Sequence, residues 1–592
     1  MLLKTLFAVA ALLAAPAAAD LNVWPAPASS TTGNSTVCLD RGFKISVAGG
    51  KAPADLVSAI ARTQANLQRS QHQFLSPTHG AEFFPNGQGC KSYVKELVLN
   101  YAKGAVQDPI ASPVDKRIAN EAYTLDVSAA GVASATGASS LGLLRALTTF
   151  ENLWFKLNKG AKVARRDYRQ ARDGEVADAA NWGGGGSGGG ANPTFAPYAP
   201  YHIDDKPAFP WRAVLIDTSR HFFSVETIKR QLDIMSLVKL NVLHWHIVDS
   251  QSWPLALSAF PNLAAKGAYS PAEVYSEAQV KDIIQYAGER GIDVVIEIDT
   301  PGHTSIIYDS YPDYIACFEK RPWTTYANEP PAGQLRFADQ KVTGFVSSLF
   351  KSVAGLTKSA YFGTGGDELN VKCYDEDAPT QAILKANSWT IENALKNFTV
   401  QTHNTLRSVG RTPVVWEEMA ISHGDTGLDP ATVVQVWISS ASVKQVADKG
   451  LRLVHASNDY FYLDCGQGGW VTADGGLNSW CDPYKTWAHI YSFDPYNGTT
   501  PAQHAQVLGG QASVWAEQTD ESNIDSQIWP RAAAFAEVFW TGGGAKGFPL
   551  SAVSATGRLH DIRYRIVDKG VRAIPIQPEW CALRPGLCNL AG

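Results

Sequence analysis

Residues 213–216 read Ala213-Val214-Leu215-Ile216 and residues 242–248 read Val242-Leu243-His244-Trp245-His246-Ile247-Val248, while between them Val225, Ile228, Leu232 and Met235 recur at helical spacing. Two unbroken apolar runs joined by an amphipathic helix make a βαβ unit, because strands of a parallel sheet are covered on both faces. The alternation continues. A helix opens at Ser276, with Gln279 as capping partner, buries Val280, Ile283, Ile284 and Ala287, and stops at Gly291 before a strand over Val294 to Ile298. Further strands are expected at Tyr361-Phe362, Val414-Val415-Trp416, Val433 to Trp437, Leu453-Val454 and Ala512 to Trp515. Eight strands in roughly 300 residues, separated by helix-length segments, predict an α/β fold, a (β/α)8 TIM barrel.

Upstream of the barrel the pattern is different. Tyr123-Thr124-Leu125-Asp126-Val127 alternates as a strand and Leu141 to Phe155 carries apolar residues at helical spacing, so a smaller α+β domain of sheet and helices is expected over 20–182. Gly183 to Gly190, with Pro193, Pro197 and Pro200 following, predicts a linker over 183–200 and a catalytic domain over 201–592. Arg165-Arg166 is a candidate processing site, with a solvated surface pair as its plainer reading. Residues 1–19, a Lys4-bearing start, an apolar run to Leu13 and Ala17-Ala18-Ala19, read as a cleaved secretory signal. An extracellular location is expected, with no membrane span.

Composition narrows the partner. A formal net charge of -5 gives no footprint for nucleic acid or an anionic membrane, whereas 17 tryptophans suit stacking against sugar rings. The eight cysteines form an even set without CxxC spacing, which favours disulfides over metal or redox motifs and leaves their pairing open. Asn34, Asn397 and Asn497 head glycosylation sequons.

Catalytic groups of such barrels sit at the carboxyl ends of strands, and polar residues stand there in series. Asp217 and Arg220 follow strand one, Asp249 strand two, Glu297, Asp299 and His303 strand three, Asp367 and Glu368 strand four, and Glu417 strand five. Trp416, Trp437 and Trp515 end strands five, six and eight. Singly, each reads as an ordinary strand-end residue; as a ring they read as a site. His244 and His246 with Asp249 do not make an open metal-hydrolase set, so neither metal nor cofactor is expected.

Four strings, Leu215-Ile216-Asp217-Thr218-Ser219-Arg220-His221-Phe222, Leu243-His244-Trp245-His246-Ile247-Val248-Asp249, Asp299-Thr300-Pro301-Gly302-His303-Thr304 and Gly365-Gly366-Asp367-Glu368, resemble fungal-type β-N-acetylhexosaminidases of glycoside hydrolase family 20. The resemblance runs from about Leu21 to the C-terminus. It implies removal of terminal β-linked N-acetylglucosamine or N-acetylgalactosamine from chitooligosaccharides and glycans, with the substrate's own acetamide as nucleophile, an exception to the two-carboxylate retaining scheme. Glu368 would be the acid and Asp367 would hold the acetamide; adjacent strand residues point to opposite sides, so the two are not expected to flank one anomeric carbon. Arg220, Asp249 and Glu517 would grip sugar hydroxyls, Tyr462 and Asp464 would bind the acetamide oxygen and a hydroxyl, Trp416, Trp437 and Trp515 would wall the acetamide pocket, and His303 would support Glu368. Trp480 is a candidate for stacking a second sugar. The resemblance also implies a homodimer and the bridges Cys38–Cys90, Cys317–Cys373, Cys465–Cys481 and Cys581–Cys588. Many animal members have a histidine where Gly363 stands and an aspartate where Ser250 stands, so roles of those groups do not transfer. Two rival readings remain: a sugar-binding protein without catalysis, and a conventional retaining glycosidase with Glu297 or Glu417 as nucleophile.

Overall fold

The computed structural model describes residues 21–49, 52–76, 89–106, 114–157, 193–471, 478–543 and 547–590. The expected signal, the glycine run and Arg165-Arg166 lie outside them. Six strands form the N-terminal sheet: β1 (Ser29–Val47), β2 (Ser92–Val106), β3 (Tyr123–Val127), β4 (Ala133–Ser139), β5 (Phe155–Lys156) and β6 (Thr194–Asp205), in the order β1-β2-β4-β3-β6-β5, with β1 also pairing β6. Helices Ala54–Arg69 and Ser140–Asn152 cover it; Ser139 caps the second by accepting the Gly142 N–H.

Strand β6 corrects the linker boundary. Residues 194–200 were expected to be linker, yet they pair with β1, and alternate residues Ala199, Tyr201, Ile203 and Asp205 turn inward. Prolines here hid the strand. They lack an N–H and are tolerated where the ladder is irregular, and β6 shifts register opposite the steps Thr32/Ser35 and Ser35/Val37.

The second domain is a closed parallel barrel of β7 (Trp211–Asp217), β8 (Val242–Val248), β9 (Asp293–Ile298), β10 (Tyr361–Gly365), β11 (Thr412–Trp416), β12 (Val433–Val436), β13 (Arg452–His455) and β14 (Val507–Val514), neighbours in chain order, with β14 closing on β7. The predicted cap of the helix Glu277–Gly288 is present, Ser276 and Gln279 satisfying each other's backbone N–H groups. Strand β14 begins five residues before the expected start at Ala512, because Gly509-Gly510 breaks the apolar pattern that marks a strand. Those glycines are required by closure. Gly509 has φ +143°, and a Cβ there would stand 1.9 Å from the Trp211 carbonyl oxygen of β7. Gly509→Ala is therefore expected to cost about 3 kcal/mol or more, read as a lowered Tm; an unchanged Tm would count against this account of closure.

Inside the barrel, Trp211, Ala213, Val242, Val295, Tyr361, Val414, Val433, Val454 and Leu508 form an apolar floor. Leu215, Trp416, Trp437, Tyr462 and Trp515 form a separate aromatic group at the carboxyl ends. The N-terminal domain docks under the floor. Glu121 pairs with Arg145 of its own domain and Arg212 at the start of β7, Lys239 before β8 donates to Asp205 at 2.8 Å and to Tyr123, and Arg117 pairs with Asp293 at the start of β9. These buried charges are satisfied across the domain boundary, where losing one partner would leave the other uncompensated. The first domain thus covers the amino ends of β7, β8 and β9, on the side away from the carboxyl ends.

Candidate active site

Strand β10 ends at Gly365, and Gly365, Gly366 and Glu368 have φ of +67°, +100° and +54°. The chain has left strand geometry before it reaches the two carboxylates. Asp367 and Glu368 therefore do not point to opposite sides as expected. Both face one imidazole: His303 Nε2 lies 3.6 Å from Asp367 Oδ2 and 3.3 Å from Glu368 Oε2, the latter without the alignment of a good hydrogen bond. Glycine at 365 permits this turn, since a Cβ there would overlap Asp299 Oδ1 at 1.7 Å; that oxygen instead accepts the Gly366 N–H at 2.9 Å. His303 and Glu368 both hold left-handed backbone, φ +51° and +54°, a cost of about 1 kcal/mol or more each that clusters at functional sites.

Behind His303 stands Asp249, whose Oδ1 is 3.1 Å from His303 Nδ1. Asp249 was expected to grip a hydroxyl, and the structure places it elsewhere. It is buried, and its oxygens already meet His303, His246 Nε2 at 2.7 Å, Arg220 Nη2 at 3.0 Å and the Ser250 N–H. With about four lone-pair directions on a carboxylate, it has none to spare. It stands in line with His303 and Glu368, in contact with the first and through it with the second.

Arg220 is ringed by carboxylates. Nη1 donates to Asp217 Oδ2 at 3.1 Å, Nη2 pairs with Asp249 and Glu329, Nε lies 3.1 Å from both Gln251 Oε1 and Glu329 Oε1, and Glu517 Oε1 is 4.0 Å from Nη2. Asp217 also accepts the Ala516 N–H at 3.0 Å, tying the end of β7 to the chain after β14. Asp464 Oδ1 accepts the Trp515 N–H at 3.2 Å, and burial pushes its carboxyl up to about 7. Trp416 and Trp515 meet at 5.9 Å, Trp437 stacks on Tyr462 at 6.2 Å and 11°, and Tyr462 lies 6.1 Å from Trp515. This is a three-tryptophan wall with one buried phenol in it. Trp480 is 67% exposed and stands edge-on to Trp437 and Tyr462, at the mouth. All four disulfides have the pairing that the resemblance implied. Cys465–Cys481 ties the chain after Tyr462 and Asp464 to that of Trp480, and Cys317–Cys373 ties the loop of Glu329 to the helix after Glu368.

The electrostatics separate the adjacent carboxyls. Burial and the neighbouring Asp299 push Asp367 well above the usual range, and burial lifts Asp299 to about 6, so this pair shares a proton. Burial also works to raise Glu368, but the close contact and charge of His303, with Asn328, outweigh it and hold that carboxyl low. His303 goes the other way: desolvation is overcome by Asp249 and Asp367, and its pKa is raised well above the ordinary value. A proton thus rests on His303, in contact with Glu368. One oxygen of Asp367, Oδ1, is buried without a hydrogen-bond partner among the described residues.

Glu297 and Glu417 are otherwise engaged. Glu297 is held by His246 Nδ1 at 2.6 Å and His244 Nε2 at 3.0 Å, and Glu417 Oε2 accepts the N–H groups of Trp437 at 2.6 Å and Ile438 at 3.0 Å. His246, Glu297 and Asp299 come close enough to share a cation, yet the His246 and Glu297 atoms are satisfied by one another. Sequence reasoning missed Asn328, Glu329 and Glu418. Glu418 accepts the Trp437 indole N–H at 2.8 Å, and burial, then Asp367, pushes it up to about 8. Its only signal is adjacency to Glu417; that of Glu329 is an acid before Pro330-Pro331 in a loop with no periodicity.

The family model described as glycosyl hydrolase family 20, catalytic domain, matches residues 209–543, and one described as beta-acetyl hexosaminidase like matches 23–153. A beta-hexosaminidase of Arthroderma benhamiae is 33% identical over 557 residues, 88% of this chain and 84% of the relative. A chitooligosaccharidolytic beta-N-acetylglucosaminidase of Bombyx mori is 36% identical over 408 residues, 65% of each chain. Among solved structures, the chitobiase of Flavobacterium johnsoniae superposes with a TM-score of 0.70 at 25% identity, covering 94% of this chain and 74% of that one.

Proposed function

Because the chain belongs to glycosyl hydrolase family 20, with fungal β-hexosaminidases among its relatives, we propose that this glycoside hydrolase removes terminal N-acetylhexosamine from chitooligosaccharides and glycans with the substrate's acetamide as nucleophile. One observation carries the mechanism. The two carboxylates that could serve as a separate nucleophile, Glu297 and Glu417, are bound by protein donors, whereas Asp367 keeps a buried oxygen without a partner beside the acid.

In this reading the acetamide lies among Trp416, Trp437 and Trp515, its N–H donates to Asp367 Oδ1 and its carbonyl oxygen accepts from the Tyr462 hydroxyl. As that carbonyl attacks the anomeric carbon, positive charge grows on the acetamide nitrogen. The Asp367–Asp299 pair, sharing one negative charge, opposes it in a dry site where such an interaction is strong. Glu368, supplied from His303, gives its proton to the leaving oxygen and then takes one from the water that opens the cyclic intermediate. Apolar walls keep water out until then. Arg220, Glu517 and Asp464 hold the hydroxyls, and Trp480 stacks the next sugar of a chitooligosaccharide, the substrate class named for the Bombyx relative.

Four disulfides and the exposed sequons at Asn34 and Asn497 support secretion as a glycoprotein, and no described helix is long and apolar enough to cross a membrane. Asn397 sits part-buried in the helix Ile391–Ser408 with Thr399 buried, which makes it the poorest acceptor of the three. A homodimer is proposed on the family resemblance, to be checked by light scattering. The function is tested by comparing an aryl β-N-acetylglucosaminide and galactosaminide with the matching glucoside. The N-acetyl substrates should be cleaved faster by on the order of a thousandfold or more, and equal rates would overturn acetamide participation.

A further inference from the structure

The relay behind Glu368 does not stop at Asp249. His246, on β8, has both ring nitrogens against carboxylates: Nδ1 lies 2.6 Å from Glu297 Oε1 and Nε2 2.7 Å from Asp249 Oδ2. A neutral imidazole donates from one nitrogen only and would turn a lone pair against the other carboxylate at hydrogen-bond distance. With Asp249 and Glu297 both ionised, both nitrogens carry protons. His246 is buried, and so are Glu297 and Asp249, so the charge is held by these two neighbours and not by water. Beyond Glu297 the chain reaches His244 at 3.0 Å.

We propose that His246 is a fixed imidazolium acting as a positioning residue for the acid: by balancing the charge of Asp249 it weakens that carboxylate's grip on the proton resting on His303, and so eases its passage to Glu368. The inference rests on the reading of Glu368 as the acid. Asp249 faces three cations or cation-forming groups, Arg220 at 3.0 Å, His246 at 2.7 Å and His303 at 3.1 Å. Were Arg220 alone to balance it, Asp249 would hold the resting proton on His303 more tightly, and Glu368 would receive it less readily when a leaving group needs it. The other groups facing His246 are accounted for. Glu297 comes from β9, Asp299 stands in reach at the end of β9, Arg220 shares Asp249 Oδ2 with His246 and pairs with Asp217, and the edge contact with Trp515 at 4.9 Å carries no charge. Burial opposes the charge on His246, and Asp249 and Glu297 more than restore it, raising the pKa well above that of a free histidine.

His246→Gln keeps the approximate shape and removes one positive charge next to Asp249. His303 then binds the shared proton more tightly and passes it on less readily, and the relay loses it only at higher pH. The variant should lose about tenfold more activity on chitobiose than on an activated aryl N-acetylglucosaminide, with the alkaline limb of the chitobiose profile moved up by about one unit. A residue that only filled space would lower both substrates alike and leave the limb in place, and that result overturns the proposal. Neutron diffraction of the wild-type enzyme at mildly alkaline pH tests it without a variant: both nitrogens of His246 should carry a hydrogen isotope, and one bare nitrogen overturns it. Wild-type protein inactive on N-acetyl substrates would instead remove the reading on which the inference stands.

Discussion

Glu368→Gln is expected to slow hydrolysis of chitobiose by about a thousandfold or more while slowing an activated aryl N-acetylglucosaminide by only about tenfold. A sugar alkoxide is a poor leaving group and needs a proton as the bond breaks, whereas an activated phenolate leaves without one. The amide cannot supply that proton, although it still fills the space beside His303 Nε2, 3.3 Å from the native carboxylate. The pH dependence separates the substrates as well. In the wild-type enzyme activity on chitobiose should fall as the relay loses its proton on the alkaline side, and in the variant the aryl substrate should lose that limb. Michaelis profiles on both substrates check this, and equal losses would remove Glu368 from the role of acid.

Asp367→Asn should cost about a hundredfold or more with both kinds of leaving group. Here the lost interaction is with the acetamide and not with the aglycone, so leaving-group quality should give no relief. Asparagine also ends the proton sharing with Asp299, whose carboxyl burial lifts to about 6. An amide presents a neutral oxygen or its own N–H groups to the acetamide, neither of which opposes a growing positive charge. Near-wild-type turnover on either substrate would take Asp367 out of the mechanism.

The barrel was legible because its strands are apolar on both faces and its helices are not, a contrast that survives in one sequence. It faded where backbone geometry outweighed composition. Gly509-Gly510 in β14 and the prolines of β6 look like breaks, yet the first allows close approach to Trp211 and the second coincide with irregular pairing. At the site, strand-end placement brought out Arg220, Asp249, His303, Asp367 and Glu368, and the structure gathers them. What spacing could not convey was direction. The alternation rule put Asp367 and Glu368 on opposite sides, and positive φ at Gly365, Gly366 and Glu368 turned both toward His303. Strand-end placement marked Asp249 as a site residue and the family resemblance implied a sugar ligand, whereas its oxygens are occupied by protein donors. Glu329 reaches Arg220 from a loop more than a hundred residues away, a contact that no local pattern encodes.

With the acetamide as nucleophile, its basicity controls the rate and can be varied without touching the protein. The measurement is kcat/KM for aryl glucosaminides bearing acetyl, monofluoroacetyl, difluoroacetyl and trifluoroacetyl groups, which are close in size and step down in nucleophilicity. Participation predicts a steep, monotonic fall of about tenfold per fluorine. A flat series would place the nucleophile on the protein and contradict the role given to Asp367.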